Sequence, residues 1–296
     1  FDAFCWIDLN VAAANNWASG TLEFRSDAAG ANFASNNLGG ANVSSGGTVV
    51  TTFFLDRAME AQAADKPNET LRLAEIAVRC NPANPKAKLF YANFLHGKMG
   101  RTDDAIQTMR HGLEFLDVND KLGRDYLERY FQFLQLRERD AEVIDQGLKL
   151  LRVGKDLPQG TREAIAMATA TSQYWTGKYP ECVKTITINS LDSLPNGLLL
   201  KAKALFDGGK TQEGLSLLET KGAAIKDYTP RDAILSQQSR FHVLLGQTRM
   251  ALSVNEDRIS LNEKAPFPHI QRLQLLDKLG LKDEYEKELM TIKTKF

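Results

Sequence analysis

Four histidines, three cysteines and a glycine-lysine turn are the places where this chain of 296 residues could do chemistry. His96, His111, His242 and His269 fall on separate helices or helix starts. A helical metal site needs two ligands one turn apart, and neither an HExxH nor a CxxC pattern is present. Cys5, Cys80 and Cys182 are odd in number and widely spaced, which fits neither a disulfide framework nor a zinc site. They read as buried thiols acting as small apolar residues. Gly208-Gly209-Lys210-Thr211 superficially resembles a phosphate loop, but it lacks the preceding glycine spacing and strand; a helix–helix turn fits better. Ser45-Gly46 lacks the strand-to-helix setting of a nucleophile elbow. Two Asn-x-Ser/Thr acceptors, at Asn42 and Asn68, matter only for a chain exported through a glycosylating route. The expectation is a protein without catalytic residues, metal or cofactor.

Binding chemistry is better represented. Tyr126, Tyr130, Phe131 and Phe133 crowd two helical turns together with Arg129, and aromatic and arginine side chains dominate protein interfaces. Leu127, Phe131 and Leu134 are expected to be core. That assigns Tyr126, Arg129, Tyr130 and Phe133 to a binding groove, with Phe90, Phe94 and Lys98 of the preceding first helix extending it. Core packing of the same aromatics is the competing explanation.

Bulk numbers narrow the partner. Basic and acidic residues balance at 37 each, which argues against nucleic acid or an anionic membrane held by bulk charge. A protein or peptide partner is expected. No run of about 18 apolar residues exists, so no membrane span is expected.

Two regions differ in kind. Residues 1–52 are poor in charge and rich in Ala, Asn, Gly and Ser. Three segments there look extended: Cys5–Val11 by its alternation, Thr21–Arg25, and Gly47–Leu55 with its β-branched Val49, Val50, Thr51 and Thr52. Turn-rich stretches such as Asn36-Asn37-Leu38-Gly39-Gly40 lie between them. A helical repeat offers these strands no sheet edge, so they would serve as a flexible leader or pair with another copy or another protein. A first residue that is Phe rather than Met predicts a processed product or a fragment. The low-charge leader favours an exported or membrane-tethered chain over a cytosolic one.

From residue 53 to 296 the pattern is helical. Asn81–Asp117 shows its unit best. Asn84 can cap a helix with Pro85 at its first position, Gly100 ends that helix, Thr102 can cap the next, and Ala105, Met109 and Gly112 then share a face. Asn68 and Thr229 offer similar starts elsewhere. Such a hairpin leaves an apolar face that only a stacked copy can cover. Copies recur at about 32 to 41 residues, with turns at Gly100, Gly177, Gly209, Gly246 and Gly280, each followed five places on by Ala105, Cys182, Gly214, Ala251 or Tyr285.

At these turns the chain resembles the tetratricopeptide repeat family. The G-[KR]-x-x-[DE]-[AGC] layout, the small residue opening each second helix and Asn81-Pro82 carry the resemblance over about residues 52–296. The third unit departs from it, with Arg137-Glu138-Arg139-Asp140 and no glycine. The resemblance implies an all-α, right-handed α-solenoid of about seven helix-turn-helix repeats, preceded by the extended, β-like segment. It further implies a non-catalytic scaffold that holds a peptide or protein on a concave face lined by first helices. The alternative is a structural subunit of a filament or envelope assembly, self-associating through residues 1–52.

Overall fold

The computed structural model describes residues 21–25, 32–37, 46–154 and 156–296, with side chains from residue 51 onward. Strands β1 (Thr21–Arg25) and β2 (Asn32–Asn37) form an antiparallel pair, Thr21 opposite Asn37 and Phe24 opposite Ala34. β1 therefore finds its partner in its own chain, and Asn36-Asn37, expected as a turn, belongs to a strand. The segment Cys5–Val11 lies outside the described residues.

Fourteen α-helices follow among the described residues. They are α1 (Gly46–Ala63), α2 (Pro67–Cys80), α3 (Pro85–Gly97), α4 (Thr102–Arg110), α5 (Lys121–Leu136), α6 (Asp140–Val153) and α7 (Gln159–Trp175). Next come α8 (Tyr179–Ile188), α9 (Pro195–Asp207), α10 (Thr211–Gly222), α11 (Tyr228–Leu244), α12 (Thr248–Leu261), α13 (Pro266–Leu279) and α14 (Lys282–Lys295). Contacts divide the chain into two compact units, residues 1–137 and 138–296. Within each, helices stack as consecutive antiparallel hairpins, the arrangement of an α-solenoid.

The third extended segment expected from the sequence is helical: 47–55 lies inside α1. β-branched residues cost a helix only a few tenths of a kcal/mol each, and packing outweighs that here. Leu55 and Ala58 are buried against α2, and the Thr51 hydroxyl, also buried, donates to the carbonyl of Ala77 at 3.3 Å.

Besides Ser190, which opens a 3-10 turn, seven left-handed residues punctuate the helical region. They are Asp65, Gly100, Glu138, Gly177, Gly209, Gly246 and Gly280, with φ between +52° and +87°. Each lies between the end of one helix and the start of the next. After five of them the next amide reaches back five residues, as Lys178 N–H does to Gln173 O at 2.8 Å and Gln247 N–H to His242 O at 2.8 Å. This closes the otherwise orphaned carbonyls of the helix end. Glu138 holds the same conformation without glycine's freedom.

The caps mix agreement and correction. Asn84 Oδ1 accepts from Ala87 N–H at 3.0 Å, with Pro85 first in α3. Asn68, Thr102 and Thr229 lie inside their helices rather than at the caps, which fall to Lys66, Arg101 and Asp227. Prolines at 67 and 230 sit in first turns, where a missing N–H does no harm.

In unit 1, α1, α2 and α3 bury Ala58, Ala61, Ala74, Ala77 and Ala87 in two neighbouring clusters, small residues that bring helix axes close. In unit 2, Phe206 of α9 and Phe241 of α11 stack at 3.9 Å with rings 5° from parallel. Cys182 is fully buried among Ala166, Ala170 and Ile186, and burial pushes its thiol up to about 12.

Candidate interaction surface

In unit 1 the expected groove residues separate into core and surface. Tyr126, Tyr130 and Phe133 are 0% exposed, and Phe94 is 3% exposed. This corrects the expectation that these four face a groove. A helix of a simple hairpin hides one face, but α5 is covered on two. On the α4 side, the Tyr126 hydroxyl donates to Met109 O at 2.8 Å, and Tyr130 Oη accepts from Arg110 Nε at 3.5 Å. On the α3 side, the Phe133 ring lies 4.7 Å from that of His96. Burial pushes the Tyr126 phenol above its ordinary value, with Tyr130 adding to it.

Phe90 is half-buried against the α1–α2 alanines. Arg129 and Lys98 are exposed. The Arg129 guanidinium covers the Phe133 ring at 5.7 Å and donates to Gln132 Oε1 at 3.1 Å.

Unit 2 holds an opening that the sequence reading missed. α11 and α13, the first helices of their hairpins, flank a groove of about 580 Å³. Gln237, Arg240 and Leu244 line it from α11, and Gln271, Gln274 and Lys278 from α13. One lining residue, Gln271, is held by a polar network centred on buried Arg258. Arg258 of α12 donates to both carboxylate oxygens of Asp232, at 2.9 and 3.2 Å, and to Gln271 Oε1 at 2.5 Å. Gln271 in turn donates to Ser239 Oγ at 3.1 Å.

The lining residues obey a rule. Counting back from each left-handed glycine of unit 2, the second residue is Trp175, Asp207, Leu244 or Lys278, and all four are exposed. The sixth residue back is Thr171, Lys203, Arg240 or Gln274. Positions four apart share one helix face, so two parallel rows run along the same side of α7, α9, α11 and α13. Trp175 is 71% and Leu244 61% exposed, large apolar side chains left in water. The Tyr174 hydroxyl donates to Asp207 Oδ2 at 2.6 Å, tying α7 to α9. Burial, reinforced by Asp207, raises the Tyr174 phenol, while Arg240 opposes the shift. Lys98 of unit 1 occupies the second position before Gly100 on its own helix. Counting back from the turn glycines would have found these rows in the sequence.

Among the described residues no three His, Cys, Asp or Glu side chains gather as a metal site, and no helix is long and apolar enough to cross a membrane. No protein-family model and no curated protein matches the chain. Solved structures do. A tetratricopeptide repeat protein from Parabacteroides merdae aligns with a TM-score of 0.56 at 10% identity, covering 83% of this chain and 93% of that one. PilW, a type IV pilus biogenesis factor, aligns at 0.51 with 15% identity over 71% of this chain and 93% of its own. Pseudomonas aeruginosa pilF aligns at 0.51 with 12% identity, covering 79% and 99%.

The chain has the tetratricopeptide repeat fold. At these identities the likeness is one of fold. The hairpin turn with a left-handed residue and the small residues opening second helices are thus this chain's version of the repeat.

Proposed function

We propose that this protein is a non-catalytic scaffold that holds an extended segment of a protein partner across its first helices. The observation that supports the reading is the pair of rows beside the α11–α13 groove, one of them exposed along its length. They present an indole, an aliphatic chain, both charge signs and one amide from one face. Large aromatic and arginine side chains on a rigid support are the usual anchors of interfaces. Varied groups at fixed spacing supply specificity more than raw affinity. In unit 1, Lys98, Arg129 and the half-buried Phe90 extend the proposal.

Panning a phage-displayed random-peptide library tests it. Peptides recovered by the unaltered chain are expected to lose binding to Leu244→Glu and Lys278→Glu, both surface changes. Peptides captured equally by all three proteins would refute the choice of face. Arg129→Ala and Lys98→Ala report separately on unit 1.

A second reading, self-association through residues 1–52, draws on the two-stranded sheet, in which each strand has one edge without a partner strand in that sheet. Because α1 begins at Gly46, the informative deletion removes residues 1–45. An unchanged sedimentation coefficient per unit mass would count against it.

A further inference from the structure

A second cleft in unit 2 lies away from the rows just described. It opens between α6, α7 and α8 and encloses about 360 Å³, within the range that holds small ligands. Two of its walls are aliphatic side chains in water: Leu148 is 37% exposed and Ile188 69% exposed. Leu151 lines it beside them. The rim is cationic. Arg152, Arg162 and Lys184 stand against Glu181 alone. Arg162 is already engaged, donating to the carbonyl of Gly154 at 2.7 Å. Among the described residues Arg152 and Lys184 have no ion-pair partner.

Gln173 of α7 is also a lining residue. It is 2% exposed, and its buried Oε1 has no hydrogen-bond partner among the described residues. Buried acceptors in folded proteins are nearly always satisfied, so an orphan of this kind calls for a donor. A water molecule would answer the amide oxygen but would leave Leu148, Ile188 and the two cations as they are.

We propose that this cleft binds an amphiphilic anion: a flat apolar body carrying one carboxylate or sulfonate and one N–H donor. The body lies on Leu148, Leu151 and Ile188. The anionic group meets Arg152 and Lys184, and the N–H serves Gln173 Oε1. A cationic ligand meets like charge at the rim, and a neutral one leaves both cations unpaired. The cleft draws on second helices α6 and α8, so its occupant and a peptide on the first helices are not in competition for the same side chains.

Anilinonaphthalene sulfonate has all three parts and fluoresces on transfer from water, which makes it the probe. Titration of the folded full chain is expected to give saturable one-site binding. The Arg152→Glu/Lys184→Glu variant should weaken it at least about tenfold, a difference of ~1.4 kcal/mol. Phenylnaphthylamine, which lacks the sulfonate, should bind more weakly by a similar factor. Gln173→Leu should weaken the probe while raising the melting temperature, since it removes the orphaned acceptor. Leu244→Glu, in the other groove, should change nothing. Near-UV circular dichroism of each variant guards against a loosened fold that would bind the dye unspecifically. Absence of saturation, equal affinity in the double-charge variant, or loss of binding in Leu244→Glu alone would each overturn the proposal.

Discussion

The hydroxyl of Tyr126 sits 2.8 Å from the carbonyl oxygen of Met109, and it does so because residue 112 has no side chain. A Cβ on Gly112 would stand 2.1 Å from that hydroxyl. The bond ties α5 to the end of α4 and turns an aromatic that looks like an interface anchor into a core strut. Tyr126→Phe leaves the Met109 carbonyl with the Gly112 N–H as its remaining donor and is expected to cost about 0.5–1.5 kcal/mol. Gly112→Ala must displace the whole ring and should cost more. Urea unfolding of both variants checks the order. A smaller loss for Gly112→Ala would mean that α5 shifts to accommodate the methyl.

Glu138 and Gly209 occupy the same slot between one helix and the next, at φ +55° and +87°. A side chain is strained there and glycine is not. Glu138→Gly is therefore expected to stabilise by about 0.5–1 kcal/mol, and Gly209→Ala to destabilise by about 1 kcal/mol. Thermal melts of the pair give opposite signs if the backbone conformation is the cause. Two losses would show that the Glu138 side chain contributes more than its strain costs.

Asp192, in the 3-10 turn between α8 and α9, accepts from Lys201 and Lys221 at 2.8 Å each. These two ammonium groups hold its carboxyl below the ordinary carboxylate value. A carboxylate whose folded value is depressed contributes stability that is present above its unfolded value and fades as pH falls through the folded one. Asp192→Asn should thus be less stable than the parent at neutral pH, by about 1–2 kcal/mol for charge-assisted bonds of which one donor is half exposed. The gap should close in acid. A gap that stays constant from neutral pH to acid would show that the charge of Asp192 is not what matters.

The repeat was legible because its signals are local. Gly100, Gly177, Gly209, Gly246 and Gly280 announce themselves as turn formers, and helical periodicity needs only neighbours in the chain. Burial on the second side of a helix is not local. Nothing in residues 126–133 says that Met109 and His96 will both lie against them, so Tyr126, Tyr130 and Phe133 looked free. The helix over 47–55 was hidden for the same reason: its β-branched residues favour a strand until α2 lies alongside. Asn255 and Arg258 are buried polar residues that carry no local sign of it, since what covers them comes from the next hairpin.

Arg258 is the point where core and groove meet. It is 6% exposed and joins Asp232 of α11 to Gln271 of α13, whose outer side lines the groove. Removing the guanidinium leaves the Asp232 carboxylate, 26% exposed, and Gln271 Oε1 without their buried donor. Arg258→Ala should therefore destabilise by about 1–3 kcal/mol. Asp232→Asn/Arg258→Met removes both charges while keeping most of the volume and should recover much of that loss. The double variant separates stability from recognition. With the fold restored but Gln271 no longer held by a guanidinium, peptide capture on the first helices should still fall. Full capture by the double variant would mean that the groove keeps its shape without the arginine, and that packing alone holds Gln271.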